Sequence, residues 1–435
     1  MGRASTVCIL AAGKSTRFLS SGPKVLQPVC GRPLLGWVLD QARALEPERI
    51  VVVVGHKGDE VRERIQAEAE GGPEIVFVTQ TEQKGTGHAV QVAFEHFADA
   101  PGPAVVLYGD MPLLRADSLR ELVTSFEAHR AAAVTAVAER PRGFGRILRG
   151  EDGAFRGIVE EKDATEEQRR IREVNVGVYA FAREDLAELL PGLRADNAQG
   201  ELYLTDLLGA VIERGGSVGT VTLEDEAEGI GINTLEHLTE ARRALQERIL
   251  LGHMENGVLI EDPATTYIDA GVEIGPGTRI LPCTVIRGGV RIGAGCEVGP
   301  FTHLRKGTVL EDGAEVGNFT ESKNSTIGAG TKAKHLSYLG DADIGAGANV
   351  GAGTIFANYD GKAKHRTVVG DRAFIGSGTT IVAPNTLGEG STTGAGCVVT
   401  RSAEVGPGET WVGIPARRLG EGAPAREDRS EGAAD

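Results

Sequence analysis

The sequence has few aromatic residues, few cysteines and no long apolar run, and each scarcity narrows the possible classes of protein. Phe, Trp and Tyr together make up 5% of the 435 residues, as expected where glycine and small aliphatic side chains fill the core. Because no stretch approaches membrane-spanning length, we expect no membrane-spanning helix. The first residues lack the basic region and apolar run of a secretory signal, which predicts a cytoplasmic protein.

An excess of basic residues is also lacking. The formal net charge of -15 at pH 7 argues against binding to nucleic acid or an anionic membrane, but anionic small substrates need only local cations. The cysteines are scattered without a CxxC pair, which indicates reduced core thiols. They are Cys8, Cys30, Cys283, Cys296 and Cys397. The length predicts two or three domains.

A six-residue repeat of apolar side chains fills the carboxyl-terminal third of the chain. Glycine or another small or acidic residue often follows the apolar position, which is the pattern of a parallel β-helix whose stacked coils bury a continuous core. The first run of the repeat comprises Ile274, Ile280, Ile286, Ile292, Val298, Leu304, Leu310 and Val316. The second comprises Ile375, Ile381, Leu387, Val399, Val405 and Trp411, with a miss at Thr393.

The repeat fails at Phe319–Thr326 and Ile355–Arg366, and we expect loops to leave the coils there. Basic and aromatic residues concentrate near both breaks, although the chain is acidic overall. His335 is the best general-base candidate, because an ordinary His accepts a proton near neutral pH. The alternative is a His that only hydrogen-bonds along a coil edge.

Residues from about 5 to 225 alternate apolar strands with helical patterns, which predicts a doubly wound α/β sheet with ligands at the carboxyl ends of its strands. We expect a Rossmann-like domain over 1–232, a linker helix over 233–257, a left-handed β-helix over 258–419 and a disordered tail over 420–435. The predicted strands are Val7–Leu10, Ile50–Val54, Ile75–Val78, Ala104–Tyr108 and Ala133–Val137. The predicted helices are Leu34–Ala44, Asp59–Glu70, Gly87–His96, Asp117–His129 and Thr234–His253.

The first strand leads into a glycine-rich turn, LAAGKSTRF, that predicts a phosphate cradle with Lys14 and Arg17 as cations. The turn is neither a Walker A loop nor a GxGxxG fingerprint. A further cation, Lys24, follows. Asp110, in the segment YGDMP after a buried strand, is suited to hold Mg²⁺ against substrate phosphates. The alternative for a lone Asp is a turn or helix cap.

These motifs, in this order, resemble the sugar-1-phosphate nucleotidyltransferases, with further matches in GTGH, GFGR, GIVEEKD and NVG. The resemblance implies in-line attack of a sugar phosphate on the α-phosphorus of UTP, with charge neutralised by Mg²⁺, Arg17, Lys24 and loop amides. It implies Mg²⁺ ligands at Asp110 and Asn233. It implies UTP and sugar-nucleotide contacts at Leu10, Ala11, Gly13, Lys24, Gln80, Gly85, Thr86, Tyr108, Gly109, Asp110, Gly145, Glu160, Asn175 and Asn233.

The β-helix resembles the acetyltransferase half of the bifunctional N-acetylglucosamine-1-phosphate uridylyltransferase/glucosamine-1-phosphate acetyltransferases, through HLSYLGDA, NVGAGT and NYDG. The resemblance implies synthesis of UDP-N-acetylglucosamine for bacterial cell-wall assembly, from acetyl-CoA, UTP and the sugar phosphates. His335 would deprotonate the substrate amine. Glucosamine 1-phosphate would contact Arg305, Lys323, Tyr338, Asn349 and Lys364. Acetyl-CoA would lie along Ala352, Asn358, Tyr359, Ser377 and Ala395.

The chain departs from this family in two places, and three competing functions stay open. The coils before Arg305 are fewer by roughly two turns, and the late Arg near the CoA phosphates has no clear counterpart, with Arg417 or Arg418 as substitutes. A zinc carbonic anhydrase would need three clustered His ligands. A nucleotidyltransferase whose β-helix serves only regulation or assembly is the second competing function, and a trimerisation scaffold is the third. We expect a homotrimer in which the loop at Asn358–Arg366 reaches a neighbouring subunit.

Overall fold

The computed structural model describes residues 6–13, 22–55, 57–66, 72–139 and 141–420. The chain forms two compact units divided after Leu245. Lys14 and Arg17 of the predicted phosphate loop lie outside the described residues, as does the predicted tail beyond residue 420. Within the described ranges, no helix is long and apolar enough to cross a membrane.

The first unit is built on a mixed sheet with an apolar core on each face. Alternate residues of the central strands enter opposite cores: Val7 and Ile9 face one, and Cys8 and Leu10 face the other. Strand Glu173–Ala182 runs antiparallel to both of its long neighbours. The strand order is Val218–Thr222, Ala131–Val137, Glu173–Ala182, Pro103–Tyr108, Thr6–Ala11, Arg49–Val54 and Glu74–Thr79, with Arg146–Arg149 and Phe155–Val159 as a hairpin beside Glu173–Ala182. The predicted Rossmann-like fold class is confirmed.

Helices pack on both faces of this sheet, close to the predicted positions. The α-helices are Leu34–Arg43, Gly58–Gln66, Thr86–Phe94, Ala116–Glu127, Arg183–Leu189, Asp206–Glu213 and Leu235–Glu255. Short 3₁₀ turns lie at Lys24–Leu26, Gln168–Arg170, Leu190–Gly192 and Glu226–Gly229, and a small hairpin pairs Pro28–Val29 with Arg32–Pro33. The division after Leu245 falls inside the last helix, so each unit contributes one part of it.

The second unit is a β-helix, and among its described residues the strands form three parallel sheets, with only the last short strand antiparallel. The first sheet comprises Leu259–Ile260, Arg279–Ile280, Glu297–Val298, Glu315–Asn318, Lys332–His335, Asn349–Val350, Phe374–Ile375, Thr392–Thr393, Thr410–Val412 and Arg417–Arg418. The second comprises Tyr267–Ile268, Val285–Ile286, His303–Leu304, Glu321–Lys323, Tyr338–Gly340, Ile355–Ala357, Thr380–Val382 and Val398–Val399. The third comprises Glu273–Ile274, Arg291–Ile292, Val309–Leu310, Thr326–Ile327, Ala342–Ile344, Thr367–Val369 and Asn385–Leu387.

The three sheets enclose the core as the sides of a prism. The repeated apolar residues point into this prism, as the six-residue period predicts. Val298 pairs with Val316, eighteen residues on, because three hexapeptides complete one coil. At the one miss, Thr393 is 1% exposed and takes the inward position. Its hydroxyl accepts a hydrogen bond of 3.0 Å from the Gly376 amide, so the polar group is satisfied inside the core.

The two breaks in the repeat differ from each other. No loop leaves the coil at Phe319–Thr326, all of which the structure describes, so the prediction of one there is wrong. Ser322 takes the inward position, and the corner after it is one residue short, because Leu310 pairs with Ile327, seventeen residues on. At the second break a loop does leave the coil: Ile344 pairs with Val369, twenty-five residues on.

Candidate active sites

The carboxyl ends of neighbouring parallel strands in the first unit meet at one edge of the sheet, where sheets of this kind bind ligands. Strand Thr6–Ala11 pairs in parallel with Pro103–Tyr108, so Gly13 and the turn at Gly109 lie at the same edge. The Gly109 amide donates a 2.9 Å hydrogen bond to the Leu10 carbonyl. A Cβ on Gly109 would come within 3.2 Å of the Ala11 Cβ, which favours glycine in this turn.

Lys24, Asp110 and Asn233 meet beside this edge. The Lys24 ammonium donates to Asp110 Oδ2 at 2.5 Å and to Asn233 Oδ1 at 3.0 Å. The Ile232 amide donates to the Asp110 carbonyl at 2.9 Å, which ties the two distant segments together. The two predicted metal ligands therefore share one cation already, and their oxygen donors suit Mg²⁺.

A cavity of about 930 Å³ opens next to this group. Gly145, Glu160 and Asn175 converge on its wall: a Cβ on Gly145 would lie 3.4 Å from Glu160 Oε2 and 3.5 Å from the Asn175 Cβ. The side-chain oxygen Oδ1 of Asn175 accepts from the Gly177 backbone amide at 3.1 Å and from the Tyr179 hydroxyl at 3.0 Å, which fixes the side-chain amide. Of the predicted UTP and sugar-nucleotide contacts, the lining includes Tyr108, Asp110, Gly145, Glu160, Asn175 and Asn233.

Burial and nearby carboxylates shape the electrostatics of this cavity. Burial raises the pKa of Glu160, and the charges of Asp163 and Asp206 raise it further, while the Thr205 hydroxyl opposes the shift. Burial also raises the pKa of the Tyr108 phenol. Gly177 has a φ of +91°, and a Cβ there would lie 2.6 Å from the Tyr108 ring. The backbone at Gly177 thus forms the surface on which this ring lies.

Gln80, Gly85 and Thr86 form a separate group at the end of strand Glu74–Thr79. The Gln80 side chain is 5% exposed, and its Nε2 donates to the Gly85 carbonyl at 3.2 Å. Gly85 has a φ of +108°, and a Cβ there would meet the Leu202 carbonyl oxygen at 2.6 Å. The Thr86 hydroxyl accepts from the Leu204 amide at 3.1 Å. These three residues are absent from the described lining of the 930 Å³ cavity.

Three cations, Arg305, Lys323 and Lys364, form a cluster on the second unit. Arg305 and Lys323 lie at the ends of strands in its second sheet, and Lys364 lies in the loop after Asn358. The pKa of Lys323 is lowered, first by its contact with the Lys364 amine and further by the charges of Lys364 and Arg305. Arg305 donates to Glu321 Oε1 at 2.6 Å. Like charges brought together in an acidic protein form a site for an anion, and a phosphate group has suitable chemistry.

Asp341 was not predicted from the sequence as a site residue, although it lies in the motif HLSYLGDA, directly before its last residue. Its two carboxylate oxygens accept from the side-chain amides of Asn324, at 2.6 Å, and Asn358, at 2.5 Å. The Asn358 amide also lies 3.4 Å from the Tyr338 hydroxyl. Asp341 therefore orients a predicted acetyl-CoA contact beside a predicted sugar contact. Its φ of +51° leaves no signal in the sequence.

His335 and three predicted acetyl-CoA contacts lie on successive coils at one corner of the prism. The carbonyls of His335, Ala352 and Ser377 accept from glycine amides one coil further on, at 3.4, 2.7 and 2.7 Å. The last of these amides belongs to Gly396, directly after Ala395. Neighbouring strands in a sheet are about 4.8 Å apart, so these residues form a straight row that ends at the exposed His335. Asn349 lies on the first sheet, to which His335 also belongs, and pairs with Lys332 on one side and Phe374 on the other.

The loop after Asn358 is held by Asp360, whose carboxylate accepts from the amides of Lys362 and Ala363 at 2.8 and 2.7 Å. Arg401 donates to the same carboxylate at 3.2 Å, and no motif in the sequence singles out this Arg. These bonds lower the pKa of Asp360. The Tyr359 side chain is 60% exposed, and the backbone of Tyr359 forms an isolated antiparallel β-bridge with that of Lys364 across the loop.

Arg417 and Arg418, the substitutes considered for the late CoA-phosphate Arg, are both exposed on the last strand. Arg418 lies 3.2 Å from Glu409, and Arg417 donates to the neighbouring Ala416 carbonyl at 2.9 Å. The described part of the chain contains no group of three or more His, Cys, Asp or Glu side chains placed to hold a metal. The three-His zinc site that a carbonic anhydrase would need is thus not found there.

A nucleotidyltransferase sheet followed by a hexapeptide β-helix with a cationic site defines a multifunctional transferase enzyme. Residues 7–209 match the MobA-like NTP transferase domain. The bifunctional protein GlmU of Thermobifida fusca strain YX is 44% identical, over 98% of this chain and 99% of the relative. The GlmU proteins of Streptomyces avermitilis and Acetivibrio thermocellus are 43% and 39% identical, over 99% and 90% of this chain and 96% and 91% of each relative. The chain belongs to the bifunctional GlmU family.

Proposed function

We propose that this enzyme makes UDP-N-acetylglucosamine in two steps, acetyl transfer on the β-helix and uridylyl transfer on the Rossmann-like unit. The observation that carries the two-step assignment is the cluster of Arg305, Lys323 and Lys364 beside Tyr338 and Asn358. A β-helix used only for assembly or regulation has no need for three converging cations in an acidic chain. This cluster argues against a monofunctional nucleotidyltransferase.

In the acetyl-transfer step, the three cations hold the phosphate of glucosamine 1-phosphate. The substrate amine attacks the thioester carbonyl of acetyl-CoA, and His335 accepts the amine proton. The C–S bond breaks, and CoA leaves as a thiolate that takes this proton back. The row of Ala352, Ser377 and Ala395 has small side chains, so an extended thioester arm fits along the corner that ends at His335. Tyr338, Asn349 and Asn358 orient the sugar and the acetyl group, with Asn358 fixed by Asp341.

In the uridylyl-transfer step, the phosphate oxygen of N-acetylglucosamine 1-phosphate attacks the α-phosphorus of UTP, and pyrophosphate leaves as the old phosphoanhydride bond breaks. Gly145, Glu160 and Asn175 bind the sugar, while Gln80, Gly85 and Thr86 bind the uracil. Lys24 offsets the charge of the phosphates, and we assign Arg17 the same role from the sequence pattern. No side-chain nucleophile is needed, since positioning and charge neutralisation are sufficient.

Asp110 and Asn233 are the residues we propose for holding Mg²⁺. The donor chemistry fits, because the two oxygens already converge on the Lys24 ammonium at 2.5 and 3.0 Å. The cation, when bound, supplies positive charge to the phosphate oxygens. Lys24 must then give up one or both of these contacts, and its ammonium can turn towards the phosphates.

We also propose that the protein is a cytoplasmic homotrimer that binds neither nucleic acid nor membranes. The loop at Asn358–Arg366 carries basic side chains and an exposed Tyr359 beyond its own coil, and these groups suit contact with acetyl-CoA held between subunits. The boundaries 1–232, 233–257 and 258–419 remain our domain assignment, with the tail following at 420–435.

The test of both activities is one incubation series with glucosamine 1-phosphate, acetyl-CoA, UTP and Mg²⁺, each omitted in turn, with products identified by mass spectrometry. Omission of acetyl-CoA should stop all product formation. Omission of UTP should leave N-acetylglucosamine 1-phosphate as the final product. Formation of a sugar nucleotide only when N-acetylglucosamine 1-phosphate is supplied would support a monofunctional nucleotidyltransferase.

A further inference from the structure

The hydrogen bonds around Gln80 leave one atom of its amide for a ligand. Nε2 donates to the Gly85 carbonyl at 3.2 Å and lies 3.0 Å from Nδ1 of His88. A carbonyl oxygen can only accept, so the atom facing Gly85 must be the amide nitrogen, and the orientation of the amide is fixed by chemistry. Among the described residues, nothing hydrogen-bonds to the Gln80 Oε1 atom.

The same logic determines the role of His88. The amide nitrogen has two hydrogens and no lone pair to offer, so Nδ1 of His88 must accept the second one. Nδ1 of His88 therefore carries no hydrogen in this contact. Both hydrogens of Gln80 Nε2 are used inside the protein, and a base that meets this side chain meets an acceptor.

We propose that His88 is a positioning residue that makes the nucleotide site prefer uracil to cytosine by holding the Gln80 amide with Oε1 outward. Uracil presents an N3–H donor, which pairs with Oε1. Cytosine presents an unprotonated N3, an acceptor, which opposes Oε1. If the amide turned over, its nitrogen would face the base and the preference would weaken or reverse. This inference rests on the proposed function, because it assumes that Gln80 meets the base.

Removal of His88 leaves only the Gly85 carbonyl to hold the amide. One neutral hydrogen bond contributes roughly 0.5–1.5 kcal/mol, so the loss should lower the preference for UTP over CTP about three- to tenfold. His88→Asn should restore the preference, because a side-chain amide oxygen can accept in place of Nδ1. His88→Leu fills the same space without an acceptor and serves if His88→Ala is poorly folded.

The experiment compares kcat/KM for UTP and CTP, and the Kd of each nucleotide by calorimetry, in the full-length protein and its variants. We expect a lower UTP-to-CTP ratio in His88→Ala and His88→Leu and a normal ratio in His88→Asn. His96→Ala, at an exposed position after the same helix, is the matched control and should keep the normal ratio. Acetyl transfer should not change in any variant.

An unchanged ratio in both His88→Ala and His88→Leu would overturn the inference, even if kcat falls, because a purely structural role lowers both nucleotides together. Equal binding of UTP and CTP by the unmodified protein would overturn it as well. Failure of the proposed uridylyl transfer is a different result: neither nucleotide would turn over, while the two Kd values would still report the base preference.

Discussion

The Lys24 ammonium donates a hydrogen bond of 2.5 Å to Oδ2 of Asp110, at the carboxyl end of a central strand. Asp110→Ala should therefore abolish formation of UDP-N-acetylglucosamine, because the proposed Mg²⁺ site loses its carboxylate ligand. Acetyl transfer should stay nearly normal, because its residues lie in the other unit. The two activities are measured separately by mass spectrometry of each product.

Asp117→Ala is the control for this prediction, since that carboxylate is exposed and pairs with Arg120 on its own helix. It should leave both activities unchanged. Equal loss of both activities in a folded Asp110→Ala protein would rule out two independent sites.

His335→Ala should lower acetyl transfer by roughly 10²- to 10⁴-fold, the usual contribution of a general base. Binding of CoA, measured by calorimetry, should persist because the row from Ala352 to Ala395 is intact. Raising the pH should partly rescue the variant, since more of the substrate amine is then neutral. Normal acetylation kinetics at pH 7 would exclude His335 from this role.

The pKa of Lys323 predicts a pH dependence of sugar-phosphate binding. Because contact with Lys364 lowers this pKa, Lys323 loses its charge at a lower pH than an ordinary Lys does. The Kd of glucose 1-phosphate, which has no amine of its own to titrate, should therefore rise as the pH approaches that lowered value. Lys364→Gln should weaken binding and move the rise to higher pH, because the neighbouring positive charge is removed.

Lys332→Gln is the matched control, since Lys332 pairs with Glu315 outside the cluster. Calorimetry across a pH series gives the Kd values. A rise at the same pH in Lys364→Gln and in the unmodified protein would contradict the proximity of the two amines.

Gly177→Ala should destabilise the first unit by about 1–3 kcal/mol, because the new Cβ would meet the Tyr108 ring at 2.6 Å and the φ of +91° disfavours any side chain. Gly153→Ala has a similar positive φ of +76° in open space and isolates the backbone effect from the clash. The free energy of unfolding of both variants is measured with denaturant. Equal losses would show that the contact with Tyr108 contributes nothing.

Sedimentation should give a trimer at working concentration, and a monomer there would refute the assembly. Mixing His335→Ala chains with Asn358→Ala chains tests whether the sites are shared between subunits. Hybrid trimers should regain some acetyl transfer, because a site that combines an intact His335 with a neighbour's intact Asn358 can form. Absence of any recovery in confirmed hybrids would mean that each chain holds a complete site.

Most of the fold could be predicted from the sequence, because strong periodicity reports which side chains face a core. The six-residue repeat predicted which side chains of the β-helix point inward, including the position that Thr393 occupies. The loop predicted around Ser322 was wrong, because a small polar side chain can occupy the inward position of the repeat. A corner one residue shorter then follows without a loop. Strand Glu173–Ala182 was also missed, and its antiparallel pairing depends on distant partners rather than on its own pattern.

The candidate sites were predictable where motifs carry them and unpredictable where they depend on contacts. The sequence singled out Asp110 and Asn233, but no pattern in it indicates that Lys24 bridges them. The sequence singled out Asn358, but it did not indicate that Asp341 accepts a hydrogen bond from Asn358 or that Arg401 donates one to Asp360 in the loop. Residues that hold another site residue in place follow no fixed spacing in the sequence, because their contacts depend on which coils lie next to each other.

On the proposed assignment of the acetyl-CoA site, the straight row from Ala395 to His335 sets the reach of the acyl carrier. Every coil adds the same increment, about 4.8 Å, so the number of coils between the two ends sets how long a carrier arm the corner can follow. A coil inserted before His335 would leave this length unchanged, whereas one inserted after it would lengthen the row by one step. The extra residues at Asn358–Arg366 avoid this change, because they leave the coil sideways and the next strand, Thr367–Val369, pairs in register with Ala342–Ile344.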